Sequence, residues 1–304
     1  MSKLNFHPIA LDDYDVVYKY MSVHGEGSCQ HSFVTMFSLY EKYGDAICEQ
    51  DGFLYVLREH LCHEHVRVYL APMGDGDRRE AFERILEDAH SHHAIAEFQT
   101  LTETACLFLE KQLPGRFLMA ESRDHAEYIY STERIAAFSG AKLKNKRTEL
   151  NRFYREYGDR ASVSSIKRQD FPDILDFEQK WLWENQEDHG MRALVREARA
   201  IDLQLRHFDT LHLSGIVVRI DGIVKGYGYG APISDTYYDA LIEKGDRGIP
   251  NIYRVLFRES VRQCALDYTY VNREEDVGVK GLREVKLSYQ PEILLRKYIV
   301  REKY

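Results

Sequence analysis

An internal repeat constrains this chain more than any other feature. Ile9, Asp13, Tyr14, Val17, Tyr18 and Tyr20 recur as Ile166, Asp170, Phe171, Ile174, Leu175 and Phe177 at a constant offset of 157. Each set reads as a strand end, a turn with Asp at an N-cap position and an amphipathic helix. Tyr69, Ala71 and Pro72 recur as Tyr229, Ala231 and Pro232 at an offset of 160. These triplets close two β-rich runs, Phe53–Leu57 with Val66–Leu70 and Gly215–Ile220 with Ile223–Tyr229. Each half then carries a helical pattern, near 78–89 and 251–265, and a short closing strand, Glu127–Tyr130 and Lys297–Val300. The same order of elements twice predicts two copies of one α/β unit with mixed sheets. The copies are expected to cover 1–140 and 141–304, with the boundary near Ser139–Asn145 and an extra strand, Asp235–Glu243, in the second.

Charge and composition narrow the class. The chain of 304 residues has 41 Lys+Arg against 49 Asp+Glu, a formal −8, which excludes a globally basic nucleic-acid coat but leaves room for a local patch. No stretch approaches 18 uninterrupted apolar residues, so no integral membrane segment is expected. The five cysteines, Cys29, Cys48, Cys62, Cys106 and Cys264, are odd in number and lack C-x-x-C spacing. That pattern fits reduced thiols in a cytoplasmic protein. The clusters His60-x-Cys62-His63-x-His65 and His90-x-His92-His93 lack metal-site spacing, so no metal is expected.

The local patch follows the boundary. Between Lys142 and Arg168 lie nine basic residues and three acids. On a helix Leu143, Leu150, Tyr154 and Tyr157 form an apolar stripe, with Lys144, Arg152 and Arg155 opposite. Such a face is either merely solvated or a platform for a polyanion. The densest polar run is Tyr270–Tyr289. There Asn272 to Asp276 follow an apolar strand, Leu266–Val271, and Gly278 and Gly281 free the backbone. Arg283 and Lys286 then share a helical face. Carboxylates such as Glu275 and Asp276 could take an ammonium while Arg283 takes a carboxylate or phosphate, or the loop could be stapled by its own ion pairs. The equivalent stretch of the first copy, Phe98–Cys106, is nearly uncharged, so the first copy is expected to be degenerate and structural.

Two glycine runs need separate readings. Gly226-Tyr-Gly-Tyr-Gly230 ends in Ala231-Pro232 rather than opening a helix, which argues against a dinucleotide loop. Its glycines share one strand face, where either a ligand lies or another backbone packs closely. Glu243-Lys-Gly-Asp-Arg-Gly-Ile-Pro250 leads into a helix start that could face an anion. Glu243 and Lys244 stand at the strand end, open to acid/base or salt-bridging roles. Trp181 and Trp183 flank a helical stretch, Asp173–Asn185, as core or pocket wall.

Ser139-Gly-Ala-Lys-Leu-Lys-Asn-Lys-Arg-Thr-Glu-Leu-Asn-Arg-Phe153 and Asn272–Tyr289, with Pro291 and Leu294-Leu-Arg-Lys-Tyr298, carry a resemblance. The chain resembles a bacterial family of stand-alone proteins related to the C-terminal domain of phosphatidylglycerol lysyltransferase. That resemblance implies a tandem GNAT-like (acyl-CoA N-acyltransferase-like) fold. It further implies transfer of an aminoacyl group from aminoacyl-tRNA to an amine or hydroxyl acceptor, a small molecule or lipid headgroup. On this reading Glu243 is the general base, Glu275 and Asp276 hold the ammonium, and Arg283 and Lys286 stabilise developing negative charge or a terminal phosphate. Asn272, Arg273, Lys244, Ser288 and Tyr289 complete substrate binding. Lys142, Lys144, Lys146, Arg147, Arg152 and Arg155 cradle the tRNA. No cofactor is expected, because Lys244–Pro250 does not match the (Gln/Arg)-x-x-Gly-x-(Gly/Ala) loop of acetyltransferases. An acetyl-CoA or acyl-CoA donor with a small amine acceptor is the alternative, and a non-catalytic amino-acid or peptide-binding module the third reading.

Overall fold

Two Asp-Gly dipeptides set the register of each half. Asp51-Gly52 and Asp221-Gly222 both hold left-handed φ at both residues (50° and 78°, 54° and 80°). This two-residue turn matches the twist of a hairpin, and Asp and Gly tolerate it best. It joins Asp45–Gln50 to Phe53–Arg58 with Gln50 opposite Phe53, and Ser214–Ile220 to Ile223–Pro232 with Ile220 opposite Ile223.

The computed structural model describes residues 3–189 and 191–303, the side chains of 186–189 excepted. In chain order the first strands are β1 (His7–Pro8), β2 (Asp45–Gln50), β3 (Phe53–Arg58), β4 (Val66–Tyr69), β5 (Met73–Gly74), β6 (Ile95–Thr102) and β7 (Phe117–Glu121). Then come β8 (Glu127–Ser131), β9 (Ala161–Ser165), β10 (Ser214–Ile220), β11 (Ile223–Pro232) and β12 (Tyr237–Gly245). The last are β13 (Tyr270–Glu275), β14 (Ile293–Leu295) and β15 (Lys297–Glu302). The longer helices are α1 (Tyr14–His24), α2 (Arg78–Ser91), α3 (Glu103–Gln112), α4 (Lys144–Tyr157), α5 (Phe171–His189), α6 (Met191–Arg206), α7 (Ile252–Ser260) and α8 (Lys280–Ser288).

One sheet runs β1-β2-β3-β4-β6-β15-β7, with β5 on β3, and the other β9-β10-β11-β12-β13-β8-β14 when read from its opposite edge. Strand for strand these are the same order, and in both the fourth and fifth strands are parallel. The repeat is therefore structural. Its beginning matches in detail: Asp13 and Asp170 each accept from the backbone three residues back, Ala10 N at 2.8 Å and Lys167 N at 2.9 Å. Ile9 N and Ile166 N then bond Asp45 O and Gly215 O.

Two expectations change. The offset-160 triplets end β4 and β11, which are not equivalent strands; β3 is the counterpart of β11, and β12 is the counterpart of β4 rather than an extra strand. The closing strands are also exchanged. β15 joins the first sheet, and β8 joins the second. Accordingly the compact units do not follow one cut at 140/141. The first comprises Met1–Glu127, Glu275–Arg283 and Leu294–Tyr304, and the second Tyr128–Glu274 and Glu284–Ile293.

In the first unit, α2 is capped by Asp77, which accepts from Arg79 N and Glu80 N. Ala81, Phe82, Ile85, Leu86 and Ala89 on one side of it are buried with Tyr55, Tyr69, Phe98 and Phe117 of the sheet. In the second unit Ile252, Val255, Leu256 and Phe257 of α7 are buried. The glycines of β11 and β12 let this helix approach: a Cβ on Gly226 would meet Leu256 Cδ1 at 3.2 Å, and one on Gly245 would meet Ile252 Cγ2 at 2.8 Å. The bare strand face thus receives protein, not a ligand. Gly230→Ala would drive its Cβ into Asp239 O and to 2.7 Å from Tyr238 Cε1. We expect it to destabilise the second unit by about 1–3 kcal/mol. An unchanged urea midpoint would refute this.

All five cysteines are free thiols. Among the described residues no helix is long and apolar enough to cross a membrane.

Candidate functional site

In the second unit β12 and β13 pair in parallel only over Tyr237–Asp239 and Tyr270–Asn272, after which no further pairs form. Glu243 lies on β12 beyond that point, and Arg273 of β13 reaches it, with Nε 3.1 Å from Oε2. The Arg273 guanidinium also lies over the rings of Phe257 at 4.1 Å and Tyr289 at 5.1 Å. Burial pulls its pKa down, but Glu243, Tyr289 and Tyr130 outweigh that and hold it above the ordinary arginine value. Glu243 is therefore an ion-pair partner in this structure and does not stand free as a base. Among the described residues its Oε1 and the Arg273 Nη1 are buried without hydrogen-bond partners.

Tyr289 is the centre of a cationic cluster. Arg254 Nη1 donates to its hydroxyl at 2.9 Å, and Lys146 Nζ stands 4.7 Å from its ring centroid. Arg254 is paired with Glu149 at 2.5 Å. Lys146, Arg254 and Arg273 thus converge on one ring against Glu149 and Glu243. The Lys146 pKa is lowered, by burial first and by Arg254 next, with Glu149 opposing. Lys286 is buried and donates to Arg273 O at 2.6 Å, while Tyr130 OH donates to Lys286 O at 2.8 Å. It fastens α8 to β13. Asn272 accepts from Glu274 N at 2.8 Å, shaping the turn where Glu274 has φ 55°. Ser288 spends its hydroxyl on Val285 O.

Lys244 falls outside this cluster, since adjacent strand residues face opposite ways. Its Nζ lies 3.2 Å from Glu178, 2.6 Å from Glu197 and 3.7 Å from the Trp181 ring centroid. Burial raises the Glu178 pKa despite Lys244 and the Tyr227 hydroxyl, which donates to it. Trp181 is buried there, and Trp183 is exposed.

Along α4 the six expected cations divide. Lys142, Lys144, Arg152 and Arg155 are exposed, Lys146 turns to Tyr289, and Arg147 donates to Phe138 O and Gly140 O. The buried stripe is Leu143, Leu150 and Phe153, whereas Tyr154 donates to Glu259 at its edge.

Glu275, Asp276 and Arg283 belong to the first unit. Asp276 is fully buried and accepts from Arg283 Nε at 2.9 Å, Arg283 Nη2 at 2.7 Å, Arg123 at 3.1 Å and Gly278 N at 2.9 Å. Arg283 also holds Asp124 at 2.7 Å, and these carboxylates, Asp276 foremost, raise its pKa. This is the internally stapled loop, with Asp276 already occupied by guanidinium. Glu275 accepts from Gln30, which in turn accepts from Arg58. Cys29, Glu127 and Glu275 bring ligand-type atoms within 4.8 Å. Glu127 is already neutralised by Lys297 at 2.8 Å.

Spacing did not reveal Arg254 and Phe257. Their signal was the amphipathic pattern of α7, which places both on sides that a charge-run search ignores.

Two sheets of the same strand order, each with one parallel strand pair at the same place, define a tandem GNAT-like protein. Solved structures share that fold. A conserved protein of unknown function from Bacteroides thetaiotaomicron VPI-5482 is 30% identical, with a TM-score of 0.93 over 99% of this chain and 100% of that one. L-PGS from Bacillus licheniformis is 13% identical, with a TM-score of 0.64 over 95% of this chain and 91% of that one. FemX is 12% identical, with a TM-score of 0.58 over 98% and 97%. The chain belongs to the family described as phosphatidylglycerol lysyltransferase, C-terminal, whose model matches residues 24–301. Membership associates it with aminoacyl-transferring acyltransferases at family level. A curated relative, an uncharacterized protein of Mycoplasmoides gallisepticum, is 24% identical over 174 residues, and the match spans only 55% of its length.

Proposed function

We propose that this chain moves an aminoacyl group from aminoacyl-tRNA to an amine or hydroxyl acceptor, a small molecule or a lipid headgroup, in the cytoplasm. The observation that carries the reading is α4. The helix and the turn before it expose Lys142, Lys144, Arg152 and Arg155, and α4 sends Lys146 to the Tyr289 ring where Arg254 and Arg273 converge. The outer cations would follow phosphates, and the inner cluster would meet the negative charge that develops on the ester carbonyl as it is attacked. Membership in a family whose description names lysyl transfer supports the same chemistry.

Filter binding of mixed aminoacyl-tRNAs at rising salt tests it. Each neutralised phosphate contributes about 0.7–0.9 to the slope of log affinity against log salt. Lys144→Glu/Arg152→Glu/Arg155→Glu should weaken binding and flatten that slope by about 2–3. A triple variant indistinguishable from the parent would overturn the assignment. Label passing from tRNA to an acceptor in a cell extract should accompany binding. Stabilisation by CoA in a thermal shift, without tRNA binding, would instead favour an acyl-CoA donor.

A further inference from the structure

The first unit also contains a cleft. β4 and β6 pair in parallel from Val66 with Ile95 to Tyr69 with Phe98, and then their courses differ. The chain after β4 turns aside so that Met73 pairs Leu54 and Gly74 pairs Phe53, while β6 runs on beside β15 to Thr102. Between them lies a cleft walled by Pro72, Met73 and Leu101 and bordered by His31, Glu26 and Arg78.

His31 supplies the sharpest observation. The ring is 5% exposed, and its Nδ1 lies 3.1 Å from Gly25 O. A carbonyl only accepts, so Nδ1 carries the proton and Nε2 presents a bare lone pair. Burial first, and Lys297 next, push the pKa down to about 3, so the ring is neutral at ordinary pH. Nε2 is buried without a partner among the described residues. A buried acceptor left unsatisfied costs about 1–3 kcal/mol, and a ligand N–H would remove that cost.

Charge of both signs stands beside it. Glu26, held at φ 54°, accepts from Thr102 Oγ1 at 2.8 Å. Arg78 lies on Phe108 at 5.1 Å and Phe82 at 5.8 Å, and burial lowers its pKa while the nearby Glu26 carboxylate opposes that. Asp77 already takes the Arg79 and Glu80 N–H groups at the start of α2, so the Arg78 side chain is the anion handle here.

We propose that the first unit binds an α-amino acid in this cleft, its ammonium on His31 Nε2 and Glu26 and its carboxylate on Arg78. The first copy is then a ligand-binding unit, independent of which donor the second one uses.

Calorimetric titration of the whole chain with glycine, L-alanine, L-lysine and L-glutamate, and with ethylamine and acetate as half-ligands, tests this. At least one amino acid should bind, more tightly than either half-ligand. Glu26→Gln and Arg78→Gln, both at partly exposed sites, should each weaken it about tenfold or more, as loss of a charge-assisted hydrogen bond requires. The ¹⁵N resonance of His31 Nε2 should move on saturation as the lone pair gains a donor. Failure of every probe to bind at millimolar concentration overturns the proposal. So does binding that ignores both substitutions or leaves that resonance unmoved. Neither outcome touches tRNA binding by α4, which is measured separately.

Discussion

Arg273→Met is expected to cost the second unit about 3–5 kcal/mol, because it strands the Glu243 carboxylate in a buried site where, among the described residues, no other cation is bonded to it. Both side chains are at most one-tenth exposed. The desolvation already suffered by Glu243 would then go uncompensated. Glu243→Leu should be costly for the mirror reason, leaving a guanidinium between Phe257 and Tyr289 with no carboxylate. Joining the two substitutions should recover most of the loss, since a pair replaced by apolar groups of similar size is often neutral. Urea unfolding of the four proteins gives the coupling directly. Additive losses in the double variant would show that the pair is not the mutually dependent unit described.

Two buried groups of the first unit should hide each other's titration. His31 has its pKa lowered from 6.5 to about 3 by burial first and Lys297 next, with Glu127 opposing. Asp45 has its pKa raised from 3.8 to about 6 by burial, with Arg58 and His60 opposing. Between roughly pH 4 and 6 the unfolded chain holds a proton on His31 and none on Asp45, while the folded chain does the reverse. Proton uptake on unfolding from these two is then near zero, and their joint contribution to stability is flat. Asp45→Asn removes the opposing group. Its stability relative to the parent should fall with falling pH through that window, by about 1.4 kcal/mol per pH unit. His31→Gln should give the opposite sign, gaining relative to the parent as pH falls. Difference profiles from unfolding at several pH values decide the matter, and a level profile for either variant sinks the argument.

How much of this was readable beforehand depended on distance along the chain. The turn and helix start at Asp13 and Asp170 were visible because the carboxylate bonds a backbone N–H three residues away. The triplets ending in Ala71-Pro72 and Ala231-Pro232 misled because a strand end looks alike whichever strand it ends. The cluster after Tyr270 was recognised as charged, but its partners were not. Asp276 is met by Arg123 as well as Arg283, and Tyr289 by Lys146 and Arg254. Those pairings arise from tertiary packing, and no local pattern encodes them. His31 escaped notice because a lone histidine gives no hint of which ring nitrogen will be left bare.

The traded strands carry a consequence for synthesis. A ribosome finishes the interior of the first sheet only when it reaches β15, almost three hundred residues after β1. Until then β6 and β7 lack the neighbour that lies between them, and a nascent edge of Ile95 to Thr102 waits unprotected. Cutting the gene at the midpoint would accordingly yield two incomplete fragments, each missing a plank that the other holds.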